Sequence, residues 1–470
     1  MLHSISQARR LLAALPVLAA AGCAILSDDH GFAAVATNVQ QRTGAQPRWL
    51  RTDEERNSVN RLVAERLARP LTADDAVQIA LVNNPSLQAS YADLGVSESE
   101  LVRAGRLPNP RFSFSRISNG QSVEIERKFV VDVVGLLMMP VVSKVESARF
   151  LATQTAVASE AVRVAAETRR AYVMALAASE SVHYFEQVRL AAEASSELAR
   201  RMMEAGNWSR LAQAREQVFL ADATAQLTRA RHTALAEHER LARLIGLGND
   251  STAMKLPERL PPLPSSPRAM DNFQGQALAQ RLDVQMARQG LDATGYALEL
   301  TRATRFIGLF DLAYRNKSDT GSPLQKGYEI EIEVPLFDWG DAKVAKAEAI
   351  YLQSVARLAE ATGHAQSEAR TAYSTYRSAY DLARHYREDV VPLRKKIADE
   401  TLLRYNGMLI SVFELLADAR EQVMSVNAAL EATRDFWLAD ADLDAIIAGG
   451  PPAMAMKPRD IDAPVARAAH

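Results

Sequence analysis

Four segments of this 470-residue chain alternate apolar and polar residues over the length of a membrane-crossing strand. In GYEIEIEVPLF, Tyr328, Ile330, Ile332 and Val334 fall on one face and Glu329, Glu331 and Glu333 on the other, because successive strand side chains point to opposite sides. Val123, Ile125, Phe129 and Val131 alternate in the same way with Glu124, Glu126 and Lys128. Phe112 and Phe114 alternate with Ser113 and Ser115, and Phe306, Phe310, Leu312 and Tyr314 share a face. Segments of about ten residues with one apolar and one polar face are the signature of a transmembrane β-barrel. No apolar run reaches the roughly 18 residues of a transmembrane helix, so any passage through a membrane has to be β. Four strands cannot close a barrel, and lipid does not tolerate an open edge, so copies of the chain have to combine. If the apolar faces meet lipid, Glu124, Glu126, Glu329, Glu331 and Glu333 line the lumen. Acidic rings favour cations, with Lys128 and Arg111 offsetting part of the charge.

The rest of the chain reads as helix, and in two halves. Ala80-Leu81 to Leu87-Gln88 recurs as Ala277-Leu278 to Val284-Gln285, and Gly206 in EAGNWSRL is echoed by Gly407 in YNGMLISVF. Each half predicts a helix, two strands, a very long helix, a Gly-centred reversal and a second long helix. In the first half (71–255) these are helix 72–104, strands 111–118 and 123–134, and helices 143–204 and 209–247. The second half (268–448) has helix 272–302, strands 305–315 and 327–336, and helices 341–404 and 411–447. A proline-rich crossing, LPERLPPLPSSP at 256–267, separates them. Thr72 with Asp75 predicts a capping box, Pro108 and Pro110 bar the first helix from the strands, and Pro392 predicts a kink or a break. A helix of about 60 residues is about 90 Å long, a length no globule needs. The tail 449–470, opening Gly-Gly-Pro-Pro, reads as disordered.

Composition agrees. Hydrophobic residues make up 48% of the chain but aromatic ones only 6%, which suits long helices packed through small side chains. Lys and Arg total 55 against 57 Asp and Glu, so no basic surface points to nucleic acid. The single Cys excludes a disulfide framework. It stands as Cys23 after Arg9, Arg10, an apolar stretch and Gly22, which resembles the lipobox of bacterial lipoproteins although Ala20 replaces the usual Leu. That resemblance implies removal of signal peptide 1–22, N-acyl and diacylglycerol lipid on Cys23, and an acylated segment 23–70. Ala24 resembles the outer-membrane sorting class. Three acyl chains exceed what stable anchoring needs.

The segments ALVNNPSLQASYADLGVSESELVRAGRLPNPRFSFS, VPLFDWGDAKVAKAEA, EAGNWSRL and RYNGMLISVFELLADAR resemble the signatures of the TolC-type outer-membrane efflux factor family. With the lipobox, the chain looks most like the lipoprotein branch that works with resistance-nodulation-division pumps. The resemblance implies a mainly α fold with a small β part, made of two tandem repeats, each with a long α-hairpin and two transmembrane strands. It implies a homotrimer whose 12-stranded barrel lies in the outer membrane of a Gram-negative bacterium and continues as a helical barrel across the periplasm. Such a trimer is a passive exit duct for drugs, toxic compounds or metal ions, working with a periplasmic adaptor and an inner-membrane pump. The family's tip gate maps onto Glu414 and Tyr405, with Asp418 and Arg404 as nearby substitutes. A second gate carboxylate falls on Ala417, a linking base on Ile410, and the tip glycine one place early, at Gly407 with Met408 in its slot.

Other constellations carry little. His183 with Glu186 and His385 with Glu388 share helix faces, but a bundle metal site needs several such motifs converging. Met202, Met203 and Met408 near the tips offer soft thioethers, yet Met at helical spacing is usually packing. No HExxH, phosphate-binding loop or GxSxG supports an enzyme, and no cofactor other than the lipid is expected. The competing reading is a lipid-anchored coiled-coil spacer of the cell envelope that does not conduct. The strands argue against it.

Overall fold

The computed structural model describes residues 25–248, 254–269, 273–306, 310–333 and 336–450. Cys23, its signal segment, Val334 and residues 451–470 lie outside them. In chain order the elements are α1 (Phe32–Thr43), α2 (Asp53–Leu67), α3 (Ala73–Asn83), α4 (Pro85–Ala104), β1 (Arg111–Ser118) and β2 (Val123–Asp132). Next come α5 (Val133–Glu204), α6 (Arg210–Leu244), α7 (Phe273–Gln280), α8 (Leu282–Thr304), β3 (Phe310–Asp319) and β4 (Gln325–Ile332). The chain ends in α9 (Asp341–His385), a π-helical turn (Tyr386–Val390), α10 (Val391–Asn406) and α11 (Val412–Ile447). Among the described residues no helix is long and apolar enough to cross a membrane.

The chain forms two compact units. One comprises residues 1–34, 91–157 and 285–361, the other 35–90, 158–284 and 362–470. The first holds a four-stranded antiparallel sheet in the order β1-β2-β3-β4. Its N-terminal segment is tied down by Glu98, a buried carboxylate that accepts from Ser27 N at 2.9 Å and Ser27 Oγ at 2.6 Å and meets His30 Nδ1 at 2.6 Å. Burial opposes ionisation of Glu98, but the Ser27 and His30 hydrogen bonds prevail and hold it below its ordinary value.

The second unit is helical, and its core is aromatic where the proline-rich crossing lies over it. Phe436, fully buried, meets Tyr376 at 5.6 Å and Tyr380 at 5.7 Å between ring centres. Tyr380 Oη donates to Pro264 O at 3.2 Å, Trp437 Nε1 to Pro261 O at 3.0 Å and Arg387 Nη1 to Leu263 O at 2.9 Å. Proline carbonyls need donors that a helix would have supplied, and these side chains supply them. Arg268 leads out of the crossing onto α11, where it reaches Asp440 at 3.0 Å and Asp444 at 2.5 Å.

Several boundaries differ from the sequence reading. Helix 72–104 is two helices, because Asn84 is extended and Pro85 starts α4. The break has a use: Asn83 Nδ2 donates to Ile245 O and Gly246 O, and Asn84 Nδ2 to Leu244 O at 2.8 Å, capping the end of α6. Gly246 lies at φ 73°, and a Cβ there would stand 2.3 Å from Asn83 O. The same arrangement recurs at Gly449, where a Cβ would stand 2.0 Å from Gln280 O. Accordingly helix 272–302 also breaks, at the buried Arg281, and Gly449 and Gly450 are packed rather than part of a loose tail.

The strands shift as well. β2 ends at Asp132, whose carboxylate accepts from Gly135 N at 2.8 Å and starts α5 ten residues earlier than expected, with Pro140 inside it. Strand 305–315 is displaced to 310–319, leaving Phe306 outside it against Trp339, and strand 327–336 to 325–332. The Thr72–Asp75 box is only half formed. Thr72 caps α3, but Asp75 turns to Arg66 and Arg69, and the complete box is Thr52 with Glu55. Helices α1 and α2 within 23–70 were not anticipated. Pro392 falls just after the π-turn, whose wider spacing absorbs the missing amide donor.

Phe436→Ala should cost the second unit about 3–5 kcal/mol, read as a lowered thermal unfolding midpoint. The Asp440 carboxyl is pushed up to about 6 by burial, against the pull of Arg268. Its folded value exceeds the ordinary 3.8, so the folded state binds the extra proton and loses stability as pH rises from about 4 to 6. Carboxylates held low, such as Asp75 and Glu98, act below their ordinary values of 3.8 and 4.5 and so change little above pH 5. Raising pH from 5 to 7.5 should therefore lower the unfolding midpoint, and Asp440→Asn should shrink that drop.

Candidate functional site: an amphipathic sheet and a helical tip

The register fixes the two faces of the sheet. Phe112, Phe129, Tyr314 and Tyr328 stand side by side across all four strands, and Val131, Leu312 and Ile330 form the neighbouring row. This face is bare: Tyr328 is 82% exposed, Phe112 64% and Ile330 62%. On the opposite face Ala313 and Asp311 are buried, so the apolar side chains are the ones left uncovered. Exposure of so continuous an aromatic band is uncommon on a water-facing surface. The outer edges of β1 and β4 carry no strand partner among the described residues.

The polar face carries the expected glutamates, and most are paired. Glu126 meets Arg315 at 2.7 Å, Glu124 meets Lys317 at 2.7 Å and Glu329 meets Lys128 at 2.7 Å, while Arg111 contacts Asp311. Glu331 and Glu333 form no ion pair among the described residues. Two cations of this face were not counted from the sequence: Lys317 lies beyond the expected end of the third strand at 315, and Arg315 was its last residue. Asp132, Asp311 and Asp319 share this face in the register, so the added cations do not remove its acidic excess.

At the far end of the helices in the second unit, the two reversals pack on each other. Trp208, just before α6, stacks on Phe413 at 4.6 Å with ring planes 14° apart. Ala199, Ala212 and Val412 are buried around this pair, with Met202, Met203, Tyr405 and Leu416 against them. The methionines of the first reversal are therefore packing. Behind the stack, buried Glu216 of α6 accepts from Ser195 Oγ at 2.6 Å and from Arg420 of α11, and Tyr184 Oη donates to Val423 O at 2.7 Å. Burial pushes the Tyr184 hydroxyl up to about 12.

The expected gate residues are arranged differently from their family roles. Glu414 lies in the first turn of α11, where Ser411 caps its amide and donates to its Oε1 at 3.3 Å. Arg404 pairs with Glu400 of its own helix at 3.0 Å. Tyr405 belongs to the Trp208 cluster, and Asp418 is half-buried on α11. Gly206 is left-handed at φ 76°, but Gly407 is not: the left-handed residue of the second reversal is Met408, at φ 59° and 92% exposed. Trp208, Phe413, Glu216 and Arg420 were missed. A Trp one residue before a helix cap, at a supposedly solvated tip, was the available signal.

His183 lies 3.9 Å from Glu186, which Arg231 engages at 2.8 Å, and His385 meets Asp389 rather than Glu388. No group of three or more His, Cys, Asp or Glu among the described residues could hold a metal.

Residues 274–446 match the family model described as outer membrane efflux protein. The chain is 24% identical over 386 residues to the alkaline protease secretion protein AprF of Pseudomonas aeruginosa, covering 76% of this chain and 75% of that protein. Among solved structures it resembles the outer-membrane channel OprN (TM-score 0.69, 19% identity, 83% of this chain and 92% of that one). It also resembles CusC, described in terms of transmembrane channel formation (0.67, 18%, 80% and 92%), and the Neisseria gonorrhoeae MtrE outer-membrane channel (0.60, 18%, 83% and 90%).

Replacing Met408 by Gly should relieve about 1 kcal/mol of left-handed backbone strain and slow amide exchange across 403–411. Trp208→Ala should do the opposite, raising exchange in both reversals at least tenfold. Arg404→Ala, which removes only an exposed pair, should leave exchange in both reversals within about threefold.

Proposed function

We propose that the chain is a member of the TolC-type outer-membrane efflux family and forms the outer-membrane exit duct of a tripartite export system. Three copies, each giving four strands, close a 12-stranded barrel, and their helices continue it through the periplasm. Cys23 carries the lipid that holds each copy to the membrane. A periplasmic adaptor and an inner-membrane resistance-nodulation-division pump supply cargo and energy, and the duct conducts passively. The two halves are tandem repeats of one unit, which accounts for the matching glycine contacts at Gly246 and Gly449.

The observation that carries this reading is the sheet: one face aromatic and uncovered, the other charged, and neither edge paired with a strand among the described residues. A water-exposed sheet would leave that band unfavourable, whereas lipid favours it, and closure by further copies satisfies the edges. A spacer that does not conduct has no need of such a sheet. The lumen is cation-selective through Glu331, Glu333 and the incompletely neutralised carboxylates beside them. The likeness to a protein named for alkaline protease secretion favours a second reading of the cargo, in which the duct passes a secreted protein.

Reconstituted into planar bilayers, the purified protein should give discrete conductance steps with cation selectivity. Arg315→Gln with Lys317→Gln should raise the cation-to-anion permeability ratio, and Glu331→Lys with Glu333→Lys should lower it. Absence from outer-membrane fractions, or membrane insertion without conductance, would reject the duct.

A further inference from the structure

The uncovered face of the sheet changes character along the strands. Starting nearest the helices, its rows read Phe310 and Ile332, then Val131, Leu312 and Ile330, then Phe112, Phe129, Tyr314 and Tyr328. The next row, about 7 Å further on, reads Phe114, Arg127, Asn316 and Lys326, and the one beyond holds Arg116, Ile125 and Ser318. Three cations therefore gather on the aromatic face, only near the hairpin turns at 119–122 and 320–324. All three are exposed, and no carboxylate occupies either row.

Their isolation contrasts with the other face. There Arg315, Lys317 and Lys128 each meet a glutamate at 2.7 Å. Arg116, Arg127 and Lys326 form no ion pair among the described residues. A cation at a lipid boundary is costly unless it reaches headgroup depth and finds an anion. In the duct these rows lie at the end of the strands away from the helices, hence in the outer leaflet. Guanidinium groups fork onto phosphate oxygens and an ammonium adds a point charge, so the cluster suits phosphate. The cations span β1 to β4, about 14 Å at about 4.8 Å per strand, which is too wide for one phosphate and fits a headgroup bearing two.

We propose that Arg116, Arg127 and Lys326 form a binding site for the diphosphorylated headgroup of an outer-leaflet glycolipid, whose acyl chains lie along the aromatic rows below. The site rests on the reading of the sheet as part of a membrane barrel. It would fix the depth of the barrel from the outside, as the Cys23 lipid does from the periplasmic side.

The test is native mass spectrometry of the full chain, extracted from outer membranes, delipidated, and offered diphosphoryl lipid A, dephosphorylated lipid A or phosphatidylglycerol. The wild type and Lys128→Gln, which changes the opposite face, should retain diphosphoryl lipid A at least tenfold better than the other two lipids. The triple variant Arg116→Gln, Arg127→Gln, Lys326→Gln should lose at least tenfold of that retention. Equal retention by the triple variant, or phosphatidylglycerol binding as well as diphosphoryl lipid A, would overturn the site. Conductance measured on the same preparations separates the two ideas: conducting protein with unchanged lipid retention sinks the headgroup site alone, whereas protein that never inserts sinks both.

Discussion

A β-sheet in lipid has to give every backbone amide and carbonyl a partner, and among the described residues this sheet leaves the outer sides of β1 and β4 without a strand partner. Much else follows from that constraint. The face that would meet lipid can be aromatic and uncovered because no part of the chain has to bury it. The opposite face can be charged if it encloses water, and its ion pairs set which cation sits across from which glutamate. On the proposed reading closure comes from copies, and the exposed surfaces of one chain are then interfaces and membrane contacts rather than failures of packing.

The helices solve a different problem, which is how to end. Helix α6 stops where Asn83 and Asn84 reach its last carbonyls, and Arg42 does the same work at the end of α11, donating from Nη1 to Ala448 O and Gln280 O at 2.8 Å each. Both caps need a backbone that turns sharply and comes close, which explains glycine at 246 and 449, where a Cβ would collide with a carbonyl oxygen. The breaks in the helices before the strands are thus part of the capping of others. Asn84 would otherwise look like an ordinary helix residue ahead of a proline.

How legible the fold was depended on the range of the signal. Alternation in VEIERKFVV and EIEIEV, the glycine at 206 and the prolines of the crossing act within a few residues, and the elements they imply are present. Boundaries set by distant partners were not readable: the split at Asn84 serves a helix end far along the chain, and Arg281 is buried through Asp283 and Glu368 at 2.5 and 2.7 Å. The start of α5 at Val133 was not readable either, because it lies upstream of Pro140 and a proline usually marks a first turn rather than an interior position. At the tip, Glu414 was singled out because the gate carboxylate of the resembled family maps onto it. Its carboxylate is occupied with Ser411 in a local cap, while the contacts that join the hairpins belong to residues whose importance depends on pairing across the chain.

The displaced glycine shows how that pairing shapes the tip. With Gly407 in ordinary backbone geometry, the left-handed turn passes to Met408, a residue that pays steric strain for it. Strain of this kind persists only where the surroundings hold the backbone, and here Met408 N donates to Tyr405 O at 2.9 Å and Leu409 N to Arg404 O at 2.8 Å. An apolar stack is short-ranged and insensitive to salt, unlike the charge links that Ala417 and Ile410 cannot make. The two hairpins are therefore coupled at their tips chiefly by packing, with Glu216 and Arg420 as a buried polar link behind it. Separating them requires exposing Trp208 and Phe413 to water.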